Sequence, residues 1–260
     1  MWGRLFWWLN DFMMSRLLRS GLFLCALCAT IIIADPAVAG PPYFADDPVP
    51  TDTGHWEIYN FASGTKTAGQ FDGVGGIDLN YGPVRDVQLT ATLPVNYTSV
   101  DRPHFGVGDV EVGLKYRFYN NELAGVAIAI FPRLILPTAN RRFGSGKVGV
   151  LLPVWAQKDI GAWSLFGGGG YSINPGEGNR NFGQANLAIT RTLSPRLSLG
   201  GEIAYRGADT VDGQSYTALN FGGIYKLNGP FSILFSGGPG LINVRDGGRY
   251  NVYVGLGLNF

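Results

Sequence analysis

The chain has 260 residues, of which 46% are hydrophobic and 15% charged, with 20 basic and 19 acidic side chains, 39 glycines and two cysteines. The near-neutral balance argues against a nucleic-acid-binding module, and glycine without a three-residue period excludes a collagen-like helix. What remains is a folded, β-rich protein.

From Ser15 to Gly40 the chain reads as a basic region, an apolar run over residues 21–33 and the small-residue site Ala37-Val38-Ala39. That order predicts a secretory signal peptide over 1–39, cleaved after Ala39. The apolar run falls short of the ~20 residues a membrane-spanning helix needs. Residues 1–12 exceed what a signal peptide requires, and an upstream start codon and a long leader fit equally. Cys25 and Cys28 both lie in the apolar run, so the exported chain is expected to carry no thiol and no disulfide. Cleavage would leave it formally neutral.

Residues 40–53, GPPYFADDPVPTDT, hold four prolines and no strand period. Two readings stand: a periplasmic tether, or a small plug folded into a lumen, either one made cheaper to order by proline stiffness. The adjacent Asp46 and Asp47 are expected to be solvated.

From His55 onward apolar and polar residues alternate in stretches of about ten, separated by Gly, Pro, Asn and Asp. This is the period of a half-buried strand. In Asp86 to Thr98, Val87, Leu89, Ala91, Leu93, Val95 and Tyr97 share one face; in Asp109 to Phe118, Val110, Val112, Leu114, Tyr116 and Phe118 oppose Asp109, Glu111, Lys115 and Arg117. About twelve strands follow, near 54–64, 73–82, 86–98, 106–118, 123–137, 147–157, 162–173, 181–193, 197–206, 214–227, 231–242 and 249–260. Their connections alternate between tight turns (83–85, 119–122, 158–161, 194–196, 228–230) and longer loops (65–72, 99–105, 138–146, 174–180, 207–213, 243–248). Short periplasmic turns opposite longer outer loops predict an all-β, antiparallel, up-and-down transmembrane barrel over 54–260, with both termini periplasmic in a Gram-negative outer membrane. A soluble sandwich shares the alternation, but charges recur along the polar face at mid-strand and aromatics gather at strand ends. Pro94, Pro132, Pro153 and Pro239 fall where a ladder N–H is expected, so bulges or bends are predicted at the first, second and fourth. The run Gly167 to Gly170 permits either sharp curvature or room in the lumen.

The polar faces assign Asp78, Asp109, Glu111, Lys115, Arg117, Arg133, Lys147, Glu202 and Lys226 to the lumen, as selectivity determinants or as charges that neutralise one another. Arg141 and Arg142, in the longest outer loop, are candidates for lipopolysaccharide phosphates. Only His55 and His104 are available for acid–base chemistry, and neither stands in a motif, so no enzyme activity, catalytic residue, metal or cofactor is expected. The last strand, ending at Phe260, resembles the signal read by the barrel assembly machinery. The remaining expected partners are outer-membrane lipid and a small-molecule solute.

Gly40-Pro41-Pro42, Asp46-Asp47-Pro48, His55-Trp56-Glu57, Asn80-Tyr81-Gly82, Asp86-Val87-Gln88-Leu89 and GVGDVEVGLKYRFY from Gly106 to Tyr119 together resemble the outer-membrane family named after the meta-pathway of phenol degradation. The likeness implies uptake of aromatic or other hydrophobic compounds, and carries over no binding residue. Two functions are therefore expected in competition: an outer-membrane channel or transporter for small molecules, and an occluded structural or surface-binding barrel.

Overall fold

The computed structural model describes residues 42–100, 102–243 and 249–260; the expected signal peptide lies outside the described residues. Among them fourteen β-segments follow one another: β1 (Trp56–Thr67), β2 (Gln70–Val84), β3 (Val87–Thr98), β4 (His104–Val107), β5 (Val110–Asn121), β6 (Val126–Ile130), β7 (Arg133–Leu136), β8 (Gly149–Ile160), β9 (Trp163–Ile173), β10 (Phe182–Ser194), β11 (Leu197–Arg206), β12 (Tyr216–Lys226), β13 (Phe231–Ile242) and β14 (Arg249–Asn259). β4 and β5 are two lengths of one stave, as are β6 and β7, which makes twelve staves. Each pairs antiparallel with its sequence neighbour, and β1 closes the sheet against β14 from Glu57↔Asn259 to Thr67↔Arg249. Among the described residues no edge strand is left, so every stave has a hydrogen-bonding partner on both sides.

Side chains sort by parity. On β10, Leu187 and Ile189 are 50% and 47% exposed on the outside, whereas Asn186, Ala188 and Thr190 are buried inside. On β14 the exposed set is Tyr250, Val252, Val254 and Leu256, and Asn251 is buried. Shielding one such aliphatic side chain from water is worth about 1.5–3 kcal/mol, so a belt of them around the whole wall fits hydrocarbon and not water. Among the described residues no helix is long and apolar enough to cross a membrane; here the strands span.

Several local expectations need correction. Residues 65–72 are not an outer loop: β1 and β2 run through them to a two-residue turn at Ala68-Gly69, both left-handed (φ 50° and 83°). Two left-handed residues match the right-handed twist of the flanking strands and make the tightest hairpin. The polar residues Thr65 to Asp72 therefore extend two staves rather than leave them. Asp86, expected to open the third strand, sits in the turn before β3 at φ 64°. The prolines do mark irregularities. The β3 register shifts from Thr92↔Glu111 to Val95↔Val107 across Pro94, and Pro132 separates β6 from β7. A further slip near Pro239 carries β12–β13 from Ala218↔Gly240 to Thr217↔Ile242.

The run Gly167 to Gly170 is explained by close approach of backbones. A Cβ on Gly168 would collide with the Val154 carbonyl of β8, and one on Gly167 with the Asn186 carbonyl of β10. The neighbouring strands press in from both sides, so Gly168→Val should cost roughly 1–3 kcal/mol of barrel stability. A lower midpoint in the heat-induced loss of the compact, fast-migrating form on gels would show it; an unchanged midpoint would mean the wall yields freely.

Candidate functional site

The lumen is shaped by the segment 42–53, which crosses the barrel at mid-height and touches the wall on opposite sides. The Pro42 carbonyl accepts from Ser236 Oγ of β13 at 2.6 Å, and Tyr43 Oη donates to the Gly222 carbonyl of β12 at 2.9 Å. Phe44 and Ala45 donate their N–H groups to the two oxygens of Glu202 on β11, at 3.1 and 2.5 Å, while Asn186 of β10 donates to the Phe44 carbonyl at 3.1 Å. The chain then reaches the far wall. Asp46 pairs with Lys115 Nζ of β5 at 3.0 Å and with Arg133 of β7 at 3.4 Å. Thr51 donates its N–H to Gln88 of β3 at 2.8 Å, and Gly54 N donates to the Gly82 carbonyl at 2.7 Å before β1 begins.

Packing supports these bonds. Ala45 is buried with Phe131, Trp155, Phe166 and Ala188, and Tyr43 stands edge-on to Phe166 at 6.1 Å. Phe131 is flanked by Arg133 and Lys115, 4.1 and 5.0 Å from its ring centre. Of the two readings for the proline-rich segment, the contacts are those of a plug. Pro48 is among the most deeply buried side chains, and its fixed φ lowers the ordering cost of such a path. The expectation that Asp46 and Asp47 are solvated is overturned: Asp46 carries two ion pairs, and Asp47 is 4% exposed. Burial, with Asp46 and Glu57 nearby and Lys115 opposing, pushes the Asp47 carboxyl up from 3.8 to about 8, which favours its neutral form.

Beside the plug lies a cavity of about 1050 Å³, bounded by segment 43–52 and by the wall of β1 to β3 and β5 to β8 together with Tyr253, Asn259 and Arg206. Its lining runs from Glu122 and Asn259 at the short-turn end to Val74 and Arg206 toward the loop end. Five of the predicted lumen residues border it: Asp78, Glu111, Lys115, Arg117 and Arg133. Arg117 bonds Asp86 at 2.6 Å, and Asp78 accepts from Thr92 at 2.6 Å and from Asn80 at 3.1 Å. Glu202 is buried in the lumen on the other side of the plug.

The remaining three do not line this cavity. Asp109 lies at the loop end of the β4–β5 stave and accepts from Ala139 N at 2.9 Å, fastening the loop 137–148. Lys147 is exposed in that loop and not in the lumen, because β8 starts two residues later, at Gly149. Lys226 has inward parity but ends β12 exposed at the turn. Arg141 and Arg142 are exposed in the loop 137–148. His55 is exposed at the turn end, its Nδ1 3.2 Å from the Thr53 carbonyl.

Lumen residues outside the predicted set include aromatic side chains, an amide and a further carboxylate. Tyr59, Phe61 and Tyr253 line the cavity, with Phe61 and Tyr253 parallel at 6.2 Å, as do Gln157 and Asp159. Parity alone carried the signal, since Tyr59 and Phe61 alternate with Ile58, Asn60 and Ala62 and share Glu57's face.

Solved structures share this architecture. The chain superposes on the COG4313 outer membrane channel from Pseudomonas putida F1 with a TM-score of 0.63 at 16% identity, covering 86% of this chain and 100% of that one. The KdgM porin in complex with disordered oligogalacturonate gives 0.54 at 12% identity, over 78% and 99%. The translocator domain of the autotransporter NalP from Neisseria meningitidis gives 0.50 at 12% identity, over 96% and 98%. At such identities the likeness is one of fold. No curated protein matches the sequence. The family model described as "Putative MetA-pathway of phenol degradation" matches residues 54–259, which is the entire barrel, and the chain belongs to that family.

Proposed function

We propose that the protein is a passive outer-membrane channel for small molecules, aromatic and hydrophobic compounds among them, with no enzymatic step. The observation that carries this reading is the cavity, which continues past the plug along most of the stave length and combines charged side chains with Tyr59, Phe61 and Tyr253. An apolar lining with a few placed polar groups is the usual chemistry of small-molecule recognition. The aliphatic outer belt, the family match and the resemblance in fold to a channel and a porin support the same placement. In this setting the termini and short turns face the periplasm, the longer loops carry Arg141 and Arg142 toward lipopolysaccharide, and β14 is the strand the assembly machinery reads.

One observation favours an occluded barrel instead: the plug is tied to both sides of the lumen and buries Ala45 and Pro48 completely. Purified protein in planar bilayers and in liposomes separates the two. Discrete conductance steps and entry of a small aromatic solute such as benzyl alcohol, faster than into protein-free liposomes, are expected. Absence of both would leave the structural reading.

A further inference from the structure

The charges around the cavity are unequal in number and in pairing. Eight carboxylates border it, those of Asp46, Asp47, Asp52, Glu57, Asp78, Glu111, Glu122 and Asp159, against four cations, Lys115, Arg117, Arg133 and Arg206. Every one of the four cations has a carboxylate within ion-pair distance: Lys115 has Asp46, Arg133 has Asp46 and Glu111, Arg117 has Asp86, and Arg206 has Asp209. Among the described residues, Asp46 and Glu111 alone of the eight carboxylates are in such pairs. The basic side of the lumen is thus consumed internally, while the acidic side, on β1, β2, β8 and the β5–β6 turn, keeps its field for the cavity. The formal excess among the lining groups is four negative charges.

A second observation points the same way. Gln157, on β8, lines the cavity at 5% exposure and holds its amide in one orientation by donating Nε2 to both oxygens of Asp159 at 3.0 Å. Among the described residues its Oε1 has no hydrogen-bond partner. A buried acceptor left open beside a carboxylate with no ion-pair partner is a place for a donor-bearing guest. Three or more potential metal ligands grouped to hold a metal ion do not occur among the described residues. The negative field is spread along the passage instead, the arrangement of carboxylate-lined pores that prefer cations, and Tyr59, Phe61 and Tyr253 add ring faces that attract organic cations.

We propose that the cavity prefers cations over anions, and that small organic ammonium ions are the charged solutes it accepts. The proposal deepens the channel reading and rests on it, but its own failure can be seen separately. In a planar bilayer with a KCl gradient, the reversal potential should report potassium passing several-fold more readily than chloride. The preference should fade in molar salt, where the screening length falls from about 8 Å to about 3 Å. The triple substitution Asp78→Asn, Glu122→Gln and Asp159→Asn should bring the permeability ratio close to one, with the heat-shift on gels confirming an intact barrel. A chloride preference, a wild-type ratio of one, or a ratio unmoved in the folded triple variant would each overturn the proposal. Should no current pass at all, the channel reading fails, and calorimetric titration of the purified protein decides the rest. Benzylammonium binding where benzoate does not would uphold the cation preference; equal binding, binding of benzoate alone, or none would end it.

Discussion

Without residues 42–53 the barrel should conduct several-fold more current than the full chain, while still showing the compact, heat-modifiable form on gels. Closure of the wall depends on the continuous β1–β14 ladder from Glu57↔Asn259 to Thr67↔Arg249, which residues 42–53 do not enter. It does occupy the lumen at mid-height, between Glu202 and Asn186 on one side and Lys115 and Arg133 on the other. A twelve-stranded barrel lies between the eight-stranded kind, filled by its own side chains, and the sixteen-stranded porins with their aqueous channel. At that size one crossing segment decides how wide the passage is. Removing it also exposes Glu202 and Lys115 to lumen water, which relieves the desolvation they bear in the plugged state. Single-channel recordings of the two proteins in the same salt make the comparison. Equal conductance would place the constriction elsewhere, with the loops 137–148 and 207–215 as the alternatives.

How much of this was readable in advance differs from stave to stave, for physical reasons. β3, β5 and β14 alternate cleanly because one side meets hydrocarbon and the other meets polar groups of the lumen, so local period and environment coincide. β1 breaks the rule: Tyr59 and Phe61 point inward with Glu57, while Asn60 stands on the outer face. An inner face that packs against an aromatic-rich cavity no longer looks polar, and the alternation loses its direction. The plug was invisible as such because its contacts are remote in sequence. Phe44 meets Glu202 across 158 residues, and Asp46 meets Lys115 across 69. No periodicity within residues 40–53 encodes those partners, and a pair of aspartates in a proline-rich stretch looks identical whether wet or ion-paired. Lys147 was misplaced for a simpler reason, the start of β8 two residues later than the alternation indicated. Glu202 and Lys115 were identified as inward-facing, but their role in holding the chain's own N-terminal segment depends on which residues lie opposite, and that only the closed barrel determines.

Asp46→Ala should release the plug without unfolding the barrel. The Lys115 side chain is 4% exposed, and among the described residues its one hydrogen-bonding partner is Asp46, at 3.0 Å. Removing the carboxylate leaves a buried ammonium with no acceptor, whereas Arg133 keeps Glu111 at 3.6 Å. Orphaning one member of a buried pair costs about 3 kcal/mol or more, on the order of a hundredfold in the ratio of docked to undocked plug. Undocking lets water reach Lys115, so the equilibrium moves toward the open lumen rather than toward a strained closed one. Labelling of an Ala45→Cys variant by a maleimide reads the change directly, since Ala45 is 1% exposed when docked and both native cysteines, Cys25 and Cys28, fall within the predicted signal peptide. Labelling should accelerate strongly in the Asp46→Ala background. Adding Lys115→Met removes the orphaned charge at similar volume and should restore part of the protection, because a methionine beside Phe131 needs no counter-ion. Fast labelling in both backgrounds would show that the plug requires the ion pair itself. Slow labelling in the single variant would show that the Glu202 anchor holds the segment alone.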